Sequence, residues 1–419
     1  MKTRCFATCV VAVLLLTAAS AQAGDWPQFR GPNQDGISTE KCSVWPAEGP
    51  KLVWKVQDFS GWSSFAVSGD KVFTMIGRAG NEVCLALDAA TGKELWAAEL
   101  KRGAKFPENP GASTGKWEQG GYGPGSTPTI SEGKVYVYSI DMNLCCLDAQ
   151  TGKELWRVDV LKSHEGVLSW YECNNTSPVV EGDEVIVAGG GPGQFVLAFH
   201  KNTGKLVWKT ETAISQHATP LVTTIHGIRQ IIFYTKDDVM GISLKDHKTL
   251  WRSAVANHNG HSAMTPVVSE DKVYVGSFTE GSALYQVIPD EGGFYSKRVW
   301  FIGSEHTPLF STPVLLDGCL YGQVSSYKPA FECIELATGK VKWRHGDKGC
   351  GMDILVGDKL VYLTERGALS LLDPKGEYKE LAHLDKAIAG KTYSTPAFSN
   401  GRLYIRSSKE GACYDLSAK

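Results

Sequence analysis

The chain holds 419 residues with a formal charge of −2, 42% hydrophobic and 21% charged. That balance excludes a disordered or fibrous chain and supplies no electrostatic excess to draw in nucleic acid. Its 45 glycines exceed the roughly 29 expected at ~7% usage. With 12 tryptophans and 15 tyrosines they point to one turn-rich all-β unit, where length alone suggests two or three domains.

Residues 1–23 read as a secretory signal peptide: Lys2 and Arg4 at the positive end, an apolar run from Val10 to Ala19, and Ala21-Gln22-Ala23 for cleavage. The run is far shorter than the ~20 residues that span a bilayer, and no later stretch matches it. No cysteine stands at the cleavage point, so the expectation is an exported, non-lipidated protein, periplasmic or extracellular, without a membrane span. Residues 24–50 form a lead-in. The mature chain keeps nine cysteines with no C-x-x-C, which speaks against zinc-ribbon and haem attachment. They read as small hydrophobes at strand positions.

From residue 51 onward one pattern recurs: Ser/Thr-Pro, two apolar residues, a Gly turn, V-Y-V, then L-D-x-x-T-G-K-x-x-W. The clearest copy runs from Ser126-Thr127-Pro128 to Trp156, and the repeat prolines fall at 128, 178, 220, 266, 313 and 396. The last step spans two periods and is filled by a degenerate copy near Asp353-Ile354; a further degenerate opening at Phe65-Ala66 precedes Trp96, which makes eight. Each copy reads as four short strands. Proline is tolerated at the first strand's start, where no ladder donor is needed. Val135-Tyr136-Val137 has the β-branched and aromatic bias of a second strand. Asp88 to Lys93 is a hairpin turn, with its Asp bonding forward and its Gly at φ > 0. A four-stranded unit repeating every 40–50 residues specifies an all-β, eight-bladed β-propeller over residues 51–419. The eighth copy stops at Asp415-Leu416 without its closing strand, while Lys51 to Lys55 is an orphan fourth strand; the N-terminal strand therefore closes the ring.

The motif L-D-x-x-T-G-K-x-x-W resembles the tryptophan-docking repeat of the pyrroloquinoline-quinone (PQQ) superfamily. That family joins quinoprotein alcohol dehydrogenases to non-enzymatic relatives such as the propeller lipoprotein of the outer-membrane β-barrel assembly machinery. Asp25-Trp26-Pro27-Gln28-Phe29-Arg30-Gly31-Pro32-Asn33 also looks like the start of many exported bacterial proteins of this class. The resemblance implies that Trp54, Trp96, Trp156, Trp208, Trp251, Trp300 and Trp343 dock between blades; the seventh copy departs, with Glu380-Leu381 in that place. The dehydrogenase branch would bring PQQ with Ca2+ and a disulfide between adjacent cysteines. Cys145-Cys146, however, lies inside a strand whose neighbours point to opposite faces.

The long connections, 97–125, 157–176, 189–194 and 322–329, fall on the rim that carries the second-to-third and fourth-to-first links. Function tends to sit in such loops. Candidate ligand-binding residues there are Trp62, Tyr122, Trp170, Tyr171, Glu172, Asn174, Gln216, His217, His258, His261, His306, Lys391 and Tyr393. They form a polar and aromatic funnel. His258-x-x-His261 lacks a carboxylate cluster, so no metal is assigned; the glycines at 189–193 open no helix and fail as a phosphate cradle. The expectation is a monomeric binding or scaffolding module for a protein, peptide or small polar ligand. The alternative is a PQQ- and cation-dependent dehydrogenase acting on an alcohol or sugar.

Overall fold

The computed structural model describes residues 24–100, 123–168, 174–255, 263–277, 280–308, 310–324, 328–346 and 349–418. Thirty-two strands form eight four-stranded antiparallel blades, and a short strand adds to blade 7. The innermost strands, in blade order, are Ala66–Ser68, Thr129–Ser131, Val179–Glu181, Leu221–Ile225, Val267–Ser269, Val314–Leu316, Gly351–Val356 and Ala397–Ser399. Blade 8 is completed from the other end of the chain: Lys51–Gln57 pairs antiparallel with Glu410–Asp415, as expected. The expected loop bounds need one correction. Ala97 to Leu100 and Arg157 to Asp159 continue outer strands, and Gly322 to Val324 ends a second strand, because each stretch still finds a ladder partner.

Alternation along each strand feeds two inter-blade cores at once. Cys145 packs into the core shared with blade 1 and Cys146 into that shared with blade 3, both fully buried. All eight described cysteines are buried thiols; Cys173 lies outside the described residues.

The hairpin turns are built as their residues dictate. Asp88 Oδ1 accepts from Ala90 N at 3.1 Å and Thr91 N at 2.8 Å, and Gly92 sits at φ +71°. A Cβ on Gly92 would fall 2.7 Å from the ring of Trp54, the outer-strand tryptophan of blade 8, whose indole N–H donates to Ala89 O at 3.0 Å. Trp96 lies likewise over Gly152, Trp156 over Gly204 and Trp300 over Gly339, each bonded to a carbonyl of the next blade. Where the turn differs, the contact differs. Trp208 stacks on His247 at 4.4 Å and Trp343 meets Tyr378 edge-on, while Trp251 donates to Gln230 of its own blade.

Side-chain hydroxyls at the entry to the inner strands join neighbouring blades around the channel. Thr395 N donates to Ser64 Oγ, Ser64 N to Thr127 Oγ1, Thr127 N to Ser177 Oγ and Ser177 N to Thr219 Oγ1, at 2.9 to 3.0 Å. Thr265 N donates to Thr312 Oγ1 in the same way. Blade 7 carries Met352 and Asp353 at the hydroxyl and proline positions.

The lead-in occupies the channel from the opposite face, where the first-to-second and third-to-fourth turns lie. Trp26 exchanges two backbone hydrogen bonds with Val67 of blade 1, and Pro27 O accepts from Ile130 N of blade 2. The Gln34 carboxamide imitates a peptide group, donating to Pro220 O and accepting from Val222 N of blade 4. Ile37–Ser38 pairs in parallel with Leu355 and Val356 of blade 7. Glu40 takes the amides of Asn400 and Gly401 in blade 8.

Candidate functional site

At the other mouth, the segments entering blades 1, 6 and 8 bring three rings together. Tyr393 lies 5.0 Å from Trp62 and 5.1 Å from Phe310, and the Lys391 ammonium sits 4.9 Å over its ring. All four residues are half-buried. Glu365, from the blade 7 hairpin, accepts from the Tyr393 hydroxyl at 3.2 Å and pairs with Lys391 at 3.6 Å. Burial and the Glu365 carboxylate push the Tyr393 phenol well above its ordinary range, so it remains a neutral donor. The result is an aromatic patch with one cation and one anion, able to stack on a planar or apolar group and orient a polar one.

Two further polar sets sit near this rim. Asn175 Nδ2 lies 3.0 Å from His217 Nδ1. The Glu332 side chain is wholly buried, with His306 Nδ1 at 3.0 Å and Arg344 Nη1 at 2.5 Å. Burial raises the Glu332 carboxyl, and its two basic partners oppose that rise.

Not every sequence candidate faces the mouth. Asn174 is buried, donating to Ser139 O and accepting from Thr176 N and Oγ1. It is spent on local backbone and is corrected to a structural role. Gln216 is buried as well, with its Oε1 unbonded among the described residues. Tyr122, Trp170, Tyr171, Glu172, His258 and His261 lie outside the described residues.

Sequence reasoning missed two buried arginines. Arg30, at φ +61° in the lead-in, donates to Thr312 O at 2.7 Å and Pro313 O at 3.2 Å. Its charge acts on Asp353, a fully buried carboxyl; burial pushes this carboxyl up to about 7, and Arg30 and the Val314 backbone amide oppose the rise. Arg406 donates to Thr74, Met75, Ser60 and Gly61 across the blade 8–blade 1 seam, and burial lowers its pKa to about 9. The only signal for Arg30 was its place in the Asp25-to-Asn33 motif; Arg406 had none.

Among the described residues no three His, Cys, Asp or Glu side chains converge as a metal ion needs. Glu365 is already engaged, and Cys145 and Cys146 point into different cores. Among the described residues, then, no acidic cluster is assembled for a quinone-bound cation.

A family model described as outer membrane protein assembly factor BamB matches residues 79–345, more than half the chain. The chain belongs to this PQQ-like propeller family. In sequence it is 33% identical over 139 residues to the dehydrogenase subunit of the quinone-type alcohol dehydrogenase of Komagataeibacter europaeus, a match covering 30% of this chain and 17% of that protein. It is 26% identical over 146 residues to the BamB of Moranella endobia, covering 28% of this chain and 36% of that one. The matched stretch is thus a small part of the dehydrogenase subunits. In structure, BamB from Moraxella catarrhalis superposes with a TM-score of 0.61 at 15% identity, over 87% of this chain and 99% of that one. The quinohemoprotein alcohol dehydrogenase of Comamonas testosteroni gives 0.65 at 12% identity, over 96% and 82%. At such identities these two likenesses establish the PQQ-like propeller fold and no activity.

Proposed function

We propose that the protein is an exported, monomeric binding or scaffolding propeller whose loop-bearing mouth engages a protein, peptide or small polar ligand. The observation that carries this reading is the group Trp62, Phe310, Tyr393 and Lys391 gathered at a channel mouth. A ligand there meets an aromatic patch with a few convergent polar groups, on the face opposite the lead-in. Export rests on residues 1–23, which lie outside the described residues.

A photo-crosslinking amino acid placed at position 393, against one at Thr151 on the turn face, tests the face. Adducts from 393 with none from 151 are expected; the reverse would show that the turn face works. Kinship in sequence with the quinone-dependent dehydrogenase subunits supports a second reading, oxidation of an alcohol or sugar with PQQ and a divalent cation. Adding PQQ with Ca2+ and following thermal shift and dye-linked alcohol oxidation separates the two. We expect neither a shift nor turnover, and a rise in both would replace the scaffold reading.

A further inference from the structure

The lead-in serves some inner strands and leaves others unserved. In blades 1, 2 and 7 the residue opposite the second position after the turn, namely Val67, Ile130 or Leu355, forms a pair that is not hydrogen-bonded to the second strand. Its N–H and C=O therefore point into the channel. There the lead-in meets them: Val67 N donates to Trp26 O, Ile130 N to Pro27 O and Leu355 N to Gly36 O. Val222 of blade 4 has the same aspect, and Gln34 serves it.

Val180, Val268 and Leu315 occupy the matching register in blades 3, 5 and 6. Among the described residues no group hydrogen-bonds to their channel-facing amides. All three line a cleft of about 450 Å³ between the lead-in and blades 3 to 6, a volume within the ~300–1,000 Å³ of small-ligand sites. Its other walls set Val179, Leu221 and Val267 against polar lead-in side chains, Gln28, Asn33 and Asp35 among them, and the Arg229–Glu181 ion pair, 2.7 Å, stands at its edge with its charges balanced.

We propose that this cleft is a second binding site, for an extended peptide segment of a partner protein whose backbone serves Val180, Val268 and Leu315 as the lead-in serves their counterparts. The lead-in shows which occupant fits, because it is itself an extended chain meeting the same backbone groups with carbonyls, amides and one carboxamide. Half-buried valines between those groups accept small or β-branched side chains, and the neutral rim selects against strongly charged peptides. The site lies on the opposite face from the aromatic mouth, so it stands or falls independently of the mouth.

The probe is a library of capped tetrapeptides built from Val, Thr, Ala and Ser, titrated into the full chain and read by amide hydrogen exchange and calorimetry. Saturation with the best member should slow exchange at Val180, Val268 and Leu315. N-methylating that peptide's backbone should weaken binding at least tenfold. Val268→Pro should do the same, since proline is tolerated on an edge strand whose N–H faces away from the ladder. Val267→Trp, which fills the cleft and keeps every amide, covers the case where the proline variant melts early. Failure of every member to bind, binding indifferent to N-methylation, or binding unchanged by Val267→Trp would each overturn the proposal.

Discussion

Asp353 stands where other repeats carry proline, and that exchange has a thermodynamic signature. Its pKa of about 7 in the folded chain lies above the ordinary carboxylate value, with burial the cause. The folded state therefore holds a proton that the unfolded state has released between about pH 4 and pH 7. Stability from this group is fully present below pH 4 and is lost as pH rises through 7, a swing on the order of 4 kcal/mol. Urea melts of wild type and Asp353→Asn should diverge in slope over this window, with the wild type losing stability relative to the variant as pH rises. Parallel slopes would mean that the carboxyl is solvated. Gly152 offers a second test, because φ is +72° and a Cβ would stand 2.6 Å from the Trp96 ring. Gly152→Ala should cost more than about 1 kcal/mol in the same melts, and a neutral outcome would show that the indole can yield.

The elements show which features a single sequence carries openly. Repeat length, strand count and the turn chemistry of Asp88 and Gly92 were legible because they depend on neighbours a few residues away. The belt of hydroxyls was not. Thr127, Ser177 and Thr219 were visible as a recurring Ser/Thr before proline, and Ser64 stands in the same place before Phe65, yet each accepts from an amide that only ring closure brings near. Thr127→Val keeps the shape and removes the acceptor for the buried Ser64 amide. It should cost about 1–3 kcal/mol, more than the same change at exposed Thr151, as thermal melts will show. The mouth was half legible: Trp62, Lys391 and Tyr393 converge, but Asn174 turns inward because a short amide beside Thr176 satisfies nearby backbone first. The lead-in was legible as a motif and not as an occupant of the channel, since nothing local to Arg30 names Thr312 as its acceptor.

At the scale of the molecule, blade 8 is closed by a hairpin-like strand pair made by distant parts of the chain: Gln57 bonds to Glu410, 353 positions away. Replacing Lys51–Gln57 with a flexible linker removes the fourth strand of blade 8 and the buried Trp54. It should lower Tm by on the order of 10 °C, and an unchanged melt would mean that seven complete blades suffice. The direction of that hairpin has a mechanical consequence. Lys51 faces Asp415, so the strands leave blade 8 on the same side, and tension between them would part the ladder one pair at a time, like a zip. Just beyond that end, Ser43 N holds Leu416 O at 2.9 Å, Cys42 bridges Ser417, and Glu40 grips the turn at Asn400 and Gly401. The segment that fills the channel thus also acts as the catch on the zip, and a pull on the ring must release it before the first pair of the closing ladder can open.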